Sequence, residues 1–246
     1  MRLYFIALQF LTIIPLPFQP RWEEGDMGRA MAFFPLVGLT IGALLVGLRW
    51  CLAPLLPPPL VALLLVAALA LVTGVLHLDG LADVCDGLAA RGGRERFLAV
   101  MKDSRIGAAG AAGLVLALFL KYQALLALSI PGQTGVLFFF PALARFSQVQ
   151  MAVGARRARE DGLGAACIAG AGLREFLVAD LCILTAAWLL LGLRGIYCCV
   201  AAFVFTWLAK RWFHHRLGGI TGDIIGCVSE LNEILCLLLL LALNRL

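Results

Sequence analysis

The sequence predicts an all-α polytopic membrane protein: a helix bundle of about seven transmembrane helices plus a short N-terminal helix that is re-entrant or interfacial. Of the 246 residues, 62% are hydrophobic and 14% are charged, whereas soluble proteins average about 45–50% apolar and about 25% charged residues. The mean hydropathy of +0.97 excludes a soluble domain, a disordered chain and a nucleic-acid-binding module. We therefore expect a single integral membrane domain over residues 1–246.

The apolar stretches predict the individual helices in chain order. A membrane span needs about 20 mostly apolar residues. Residues 3–18 are shorter, contain Gln9 and Thr12 and end in two prolines, so we expect a re-entrant or interfacial helix there. The seven predicted spans are residues 31–53, 60–77, 107–128, 134–153, 174–192, 196–210 and 224–243.

Basic residues predict the orientation. Of the 20 lysines and arginines, 14 lie in four polar segments, which contain two, five, four and three of them in chain order. With seven spans these segments share one side, which the positive-inside rule makes cytoplasmic, so we expect a bacterial plasma (inner) membrane protein whose active site faces the cytoplasm and whose C-terminus lies outside. The four segments are residues 18–30, 78–106, 154–174 and 210–223.

Three aspartates at a membrane boundary are the most informative feature. Asp79, Asp83 and Asp86 are spaced i, i+4, i+7, which places them on one face of a helix. Like charges on one face repel, so the cluster favours a bound cation. Mg²⁺ takes oxygen ligands and is often shared between carboxylates and substrate phosphates. We predict all three as magnesium ligands and Asp83 and Asp86 also as catalytic; a solvated loop with accidental acid spacing is the alternative.

Three residues beside the aspartates are predicted to contact substrate. Gly80 and Gly87 remove side-chain bulk, so that a phosphate or a neighbouring backbone can approach closely. His77 precedes the cluster by two residues. Its alternative role is that of a hydrogen-bonding residue at the membrane interface.

A second cluster, Lys102, Asp103, Ser104 and Arg105, lies just before a glycine-rich helix. Arginine can bind two phosphate oxygens at once, and a helix N-terminus adds partial positive charge. These four residues are therefore predicted to bind a substrate phosphate. The alternative is a basic belt whose side chains extend to the membrane surface.

Two basic residues lie inside predicted spans. Lys121 and Arg145 are both predicted substrate-binding residues, because a buried cation requires a buried acid or a ligand anion. For Lys121 the alternative is extension toward the outer face.

The last span carries further carboxylates. Asp223, Gly226 and Glu230 are spaced i, i+3, i+7 on one face, with Glu233 beside them. We predict that Asp223 is a metal ligand and catalytic, that Glu230 is catalytic, and that both act with the first aspartate cluster. Glu230 is also expected to meet Arg145 or to act as a general base; the alternative is that it only ties two helices together.

With these residues in view, the whole chain resembles the cobalamin synthase family of adenosylcobinamide-GDP ribazoletransferases. Two departures are Ile13, where the family commonly has Arg, and Ile220, where many members have Gln. The resemblance is carried by FLTxxPxP (10–17), FPLVG (34–38), HLDGLADVCDG (77–87), MKDSRIGAxG (101–110), ARExGLG (158–164) and TGDxxGxxxEL (221–231).

The resemblance implies an activity that agrees with the magnesium and phosphate sites predicted from the residues themselves. Family members join adenosylcobinamide-GDP to α-ribazole or its 5′-phosphate, release GMP and require Mg²⁺. The implied partners are these two substrates and the membrane lipid, and a homo-oligomer is left open. Rival interpretations are a CDP-alcohol phosphotransferase making phospholipid, an intramembrane prenyltransferase and a non-enzymatic cation transporter. The first would show the pattern DG-x2-AR with further Asp residues downstream, whereas here Asp83 follows Asp79-Gly80-Leu-Ala and no Arg comes next.

Overall fold

The structure is a computed structural model that describes residues 1–128, 134–159 and 163–244. These residues form twelve α-helices, a 3-10 turn at Met31–Phe33 and no β-sheet, which confirms the predicted all-α fold. The helices are α1 (Arg2–Leu11), α2 (Asp26–Ala30), α3 (Phe34–Leu52), α4 (Pro58–Val72), α5 (Leu76–Ala89), α6 (Arg94–Val100), α7 (Ala108–Ala127), α8 (Thr134–Ala152), α9 (Leu163–Gly170), α10 (Leu173–Leu191), α11 (Leu193–Leu217) and α12 (Gly222–Leu243).

Several helices are long and apolar enough to cross a membrane, which confirms a polytopic membrane protein. Among the residues that the structure describes, four helices qualify by themselves, namely Asp26–Leu52, α7, α11 and α12, and α4 with α5 would form a fifth although their axes differ by 89°. The predicted spans at α8 and α10 fall short, because α8 contains Arg145 and two glutamines and α10 contains Arg174, Glu175 and Asp180. The count of seven spans is therefore not confirmed.

The N-terminal helix is short, as predicted. Ten residues of α1 extend about 15 Å, half of the roughly 30 Å hydrocarbon core, so α1 cannot span a membrane. Ile6 and Leu11 are buried against the bundle, and Arg2 pairs with Glu23 at 2.6 Å. The Ile13 amide donates to the Val72 carbonyl at 2.9 Å, which fixes the segment after α1 beside the end of α4.

α8 and α12 form the centre of the bundle. Nearly every residue of α8 after its first turn is buried, as expected for a helix enclosed on all sides. The backbones of α3 and α8 approach closely because Gly38 and Gly42 have no side chains. A Cβ on Gly38 would lie 2.4 Å from the Ala142 Cα, and one on Gly42 would lie 2.5 Å from the Phe138 Cα.

The four basic segments meet at one end of the bundle, which we call the polar end. Arg94 donates to the carbonyl oxygens of Leu217 at 2.7 Å and Ala158 at 3.2 Å, joining three of the segments. The backbones of Gly28 and Gly170 are also in contact, which adds residues 18–30. The predicted clustering of these segments on one side is thus present in the structure.

Candidate active site

A sharp corner between α4 and α5 positions the first aspartate cluster. Gly74 and Val75 both have positive φ, at 59° and 62°. This conformation suits glycine, whereas a β-branched residue is strained in it by about 1–2 kcal/mol. The chain turns by 89° here, so the carboxylates of α5 do not continue along the direction of α4.

Two cavities meet at Asp79. Cavity I, about 260 Å³, lies among α1, α3, α5, α8, α9 and α12; cavity II, about 560 Å³, lies between the α4–α5 corner, α5 and the α6–α7 connection. Asp79 lines both. His77 and Asp223 line cavity I, and cavity II is lined by Asp83, Lys102, Asp103, Ser104 and Arg105.

The structure brings Asp223 to the first cluster, across more than 130 residues of sequence. A Cβ on Gly80 would lie 2.6 Å from the Asp223 carbonyl oxygen, so α5 and α12 touch through their backbones. Gly80 therefore permits the close approach of a neighbouring backbone, one of the two roles that the sequence indicated. The contact places Asp79 and Asp223 in the same cavity wall.

Asp86 and Gly87 have packing partners instead of lining either cavity. The two Asp86 carboxylate oxygens accept the backbone N–H groups of Gly107 at 2.7 Å and Gly110 at 2.8 Å. The carboxylate thus stabilises the N-terminus of α7, where backbone donors are otherwise unpaired. A Cβ on Gly87 would lie 2.8 Å from the Phe97 ring. The metal and catalytic roles of Asp86 and the substrate contact of Gly87 stay predictions.

The carboxylates of the two cavities fit a magnesium ion that is shared with a substrate. Within residues 1–128, 134–159 and 163–244, no three His, Cys, Asp or Glu side chains converge to hold a metal by themselves. Magnesium, however, commonly uses one or two carboxylates and completes its shell with water and phosphate oxygens. Asp79 and Asp83 lie one turn apart along cavity II and Asp223 enters from cavity I, so hard oxygen donors are available there.

Arg159 is a site residue that the sequence interpretation missed. Its guanidinium donates to Asp223 Oδ2 at 3.2 Å, and the Thr221 hydroxyl reaches the same oxygen at 3.4 Å. Thr221 also accepts the Ile224 N–H at 3.3 Å and so caps α12. These contacts orient the Asp223 side chain at the edge of cavity I. The available signal was the position of Arg159 within the ARExGLG motif.

Within cavity II, Asp103 and Arg105 form a fork-shaped ion pair. The guanidinium donates to the two carboxylate oxygens at 2.9 Å and 2.6 Å, while 86% of the Arg105 side chain remains exposed. These hydrogen bonds lower the pKa of Asp103 to about 2, so its carboxylate is ionised at neutral pH. The pair holds the loop that brings Lys102 and Ser104 to cavity II.

A buried hydrogen-bond chain determines the tautomer of His77. The Arg145 guanidinium can only donate, and it lies 3.5 Å from the Ser229 oxygen, whose own hydrogen is directed at the Ala144 carbonyl. Ser229 therefore accepts from the Gln148 amide nitrogen at 2.9 Å. The same nitrogen donates to His77 Nε2, also at 2.9 Å, so the His77 proton is on Nδ1. Nδ1 is buried and has no partner among the described residues.

The cations inside the bundle pair with acids of α12. Lys121 contacts Glu230 at 2.5 Å and also Glu233, and Arg145 contacts Glu233 at 2.5 Å. Lys121 does not extend to the membrane surface, and Arg145 pairs with Glu233 instead of the expected Glu230. None of these four residues lines cavity I or cavity II. The catalytic role of Glu230 and the substrate contacts of Lys121 and Arg145 stay predictions; the ion pairs favour a helix-tying role.

The fold and the site together define the class: a polytopic membrane protein with two adjoining cavities at its polar end. Carboxylates and residues suited to phosphate binding line these cavities. The sequence matches the cobalamin-5-phosphate synthase family over residues 3–241, and the chain belongs to this family. It is 65% identical to the adenosylcobinamide-GDP ribazoletransferase of Geotalea daltonii over 99% of this chain and 98% of that protein.

More distant relatives carry the same name. Identity is 35% to the protein of Acetivibrio thermocellus, covering 95% of each chain, and 36% to that of Shigella flexneri, covering 98% of this chain and 99% of the other. No solved structure matches the fold.

Proposed function

We propose that this chain is an adenosylcobinamide-GDP ribazoletransferase that performs the nucleotide-loop assembly step of cobalamin biosynthesis. It would transfer the adenosylcobinamide-phosphate group to α-ribazole or its 5′-phosphate and release GMP. The observation that carries this proposal is the junction of two cavities at Asp79, with Asp83 on the wall of cavity II and Asp223 on the wall of cavity I. Family membership along almost the whole chain supports adenosylcobinamide-GDP as the donor substrate.

The reaction is a single displacement at phosphorus. A ribose hydroxyl oxygen of α-ribazole forms a bond to the phosphorus that bears the corrinoid, and the anhydride bond from that phosphorus to GMP breaks. GMP leaves with the bridging oxygen, and the hydroxyl proton passes to a carboxylate at the junction or to water. No covalent enzyme intermediate is needed, because alignment and charge stabilisation provide most of the catalysis in phosphoryl transfer.

The chain's own side chains supply alignment and charge. Lys102 and Arg105 attract the diphosphate to cavity II, and Arg159 holds Asp223 in place. One or two of the carboxylates of Asp79, Asp83 and Asp223 would hold Mg²⁺, which supplies positive charge to the phosphoryl oxygens when it is bound. Asp86 belongs to the proposed ligand set under either of two conditions. Its carboxylate would have to release the amide of Gly107 or of Gly110, or it would have to bind the ion through a lone pair that these amides do not use.

The proposed setting is the inner membrane of a bacterium, with the polar end in the cytoplasm. Basic residues concentrate at that end, as the positive-inside rule requires. Large apolar side chains such as Val115, Leu181 and Leu189 are more than 60% exposed and fit contact with lipid. GMP and the soluble substrate would then be exchanged with the cytoplasm.

The test is a product assay. Membranes from cells that produce the chain are incubated with adenosylcobinamide-GDP, α-ribazole 5′-phosphate and Mg²⁺, and GMP and corrinoid products are separated by chromatography. We expect GMP only when the acceptor is present, and none from membranes that contain the Asp83→Asn variant at equal abundance. GMP release without a new corrinoid product would overturn the proposal, as would a corrinoid product formed without any GMP.

A further inference from the structure

We infer that the two cavities divide the two substrates: cavity I binds the aromatic nucleoside acceptor, and cavity II binds the diphosphate of the corrinoid donor. This inference rests on the proposed function and assigns a substrate to each half of the site. Asp79, which lines both cavities, then lies where the acceptor hydroxyl meets the donor phosphorus.

The walls of cavity I suit a planar base attached to a ribose. Phe10 and Phe34 are stacked, with ring centroids 6.0 Å apart and planes inclined by 27°, and both line the cavity with Met31. Aromatic and sulfur-containing side chains favour contact with aromatic rings. At about 260 Å³ the cavity is at the small end of ligand pockets, so it excludes a corrinoid.

The polar groups of cavity I suit the sugar. His77 has its proton on Nδ1, which lacks a partner in the described structure, and a buried donor without a partner is costly. Because His77 lines cavity I, an acceptor atom of a ribose or base bound there would supply that partner. Arg159 also lines cavity I, and its Nε is buried and has no partner among the described residues.

Cavity II suits a diphosphate whose large substituents remain outside. It is about twice as large as cavity I and is bordered by the exposed loop that carries Lys102, Ser104 and Arg105. Cationic donors of this kind bind phosphate oxygens through short, charge-assisted hydrogen bonds. Asp79 and Asp83 on the opposite wall provide the carboxylates that a phosphate-bound magnesium ion requires.

The test is a two-substrate kinetic comparison of variants on the two sides of Asp79. Phe10→Leu removes an aromatic ring from cavity I, and Arg105→Gln removes a charge from cavity II. We expect Phe10→Leu to raise KM for α-ribazole about three- to tenfold and to leave KM for adenosylcobinamide-GDP within twofold. Arg105→Gln should raise KM for the donor about tenfold and leave that for α-ribazole within twofold.

Matched controls separate these effects from general damage. Phe119 lies on the exposed face of α7 and Arg91 in an exposed connection, and neither residue lines cavity I or cavity II, so Phe119→Leu and Arg91→Gln should leave both KM values parental. Equilibrium dialysis of α-ribazole alone gives a readout without turnover: binding should weaken in Phe10→Leu and persist in Arg105→Gln. If Phe10→Leu does not fold, Cys167→Ala, also on the wall of cavity I, takes its place.

The outcomes distinguish this inference from the proposed function. An active parental protein whose cavity I variants raise the donor KM, or raise both KM values equally, would overturn the division of substrates and leave the activity intact. A parental protein that releases no GMP with either ribazole form would overturn the proposed function itself. α-Ribazole binding by dialysis, weakened only by the cavity I variants, would then still support cavity I as a nucleoside site.

Discussion

Replacing Gly80 with alanine should separate α5 from α12 at the point where the two carboxylate-bearing helices touch. The new Cβ would lie 2.6 Å from the Asp223 carbonyl oxygen and 3.0 Å from the Asp223 Cα. Ordinary contact begins at about 3.4 Å, so the helices must move apart by roughly 0.8 Å. Both atoms belong to backbone, so no side-chain rotation relieves the clash, and overpacking of this kind costs about 1–3 kcal/mol.

The expected effect on activity is similar in free energy to the effect on folding, because a 10- to 100-fold loss of rate corresponds to about 1.4–2.8 kcal/mol. Misplacement of reacting groups by about 1 Å can lower the rate about 100-fold. We therefore expect Gly80→Ala to accumulate in the membrane, to unfold at a lower temperature in detergent and to lose about 10- to 100-fold in kcat/KM, measured as GMP release. Gly47→Ala is the matched control, because beyond its own helix backbone no heavy atom of the described residues lies within 4 Å of its added Cβ. Parental kcat/KM and thermal stability in Gly80→Ala would refute the reasoning.

Three further predictions concern charge. Asp83→Asn preserves the shape of the side chain but removes a carboxylate from cavity II, so turnover should fall at least 100-fold and should depend less on added Mg²⁺. Normal turnover with normal magnesium dependence would contradict the proposed metal site. Glu233→Gln removes the carboxylate that pairs with Arg145 and one of the two that pair with Lys121, and should destabilise the fold by about 3–5 kcal/mol, seen as loss of folded protein by size-exclusion chromatography with little change in turnover per folded molecule. Cysteines placed at Arg94, Arg157 and Arg216 should all react with an impermeant thiol reagent only from the cytoplasmic side, and labelling of any one from outside would exclude the proposed orientation.

Much of the helical architecture could be predicted from hydropathy alone, but the corner at the site could not. The apolar run from Leu60 continues through Leu76, so hydropathy predicts one span that ends near His77. The structure ends α4 at Val72 and turns at Gly74. Nothing in an apolar sequence indicates that a valine will adopt positive φ, because local preference opposes it and only tertiary packing can hold it there.

The sequence predicted which buried charged residues need a partner, but it predicted less well which residues those partners are. The cost of burying a charge indicated that Arg145 requires an acid. It did not show that Glu233, 88 residues away, would serve both Arg145 and Lys121. The same limit applies to Arg159, since its pairing with Asp223 depends on how α9 and α12 come together. By contrast, the spacing of Asp79 and Asp83 is local, and both lie on α5 and line cavity II, whereas Asp86, predicted on the same face, binds the N-terminus of α7.

The most direct test of the account follows the acceptor oxygen. Purified protein in liposomes is given adenosylcobinamide-GDP and α-ribazole whose ribose hydroxyl groups carry ¹⁸O, and both products are analysed by mass spectrometry. Direct attack of the hydroxyl on the corrinoid-side phosphorus predicts equimolar products, with the label retained in the corrinoid and none in GMP. Label in GMP, a guanylated ribazole, or corrinoid phosphate released without joining to ribazole would contradict the account.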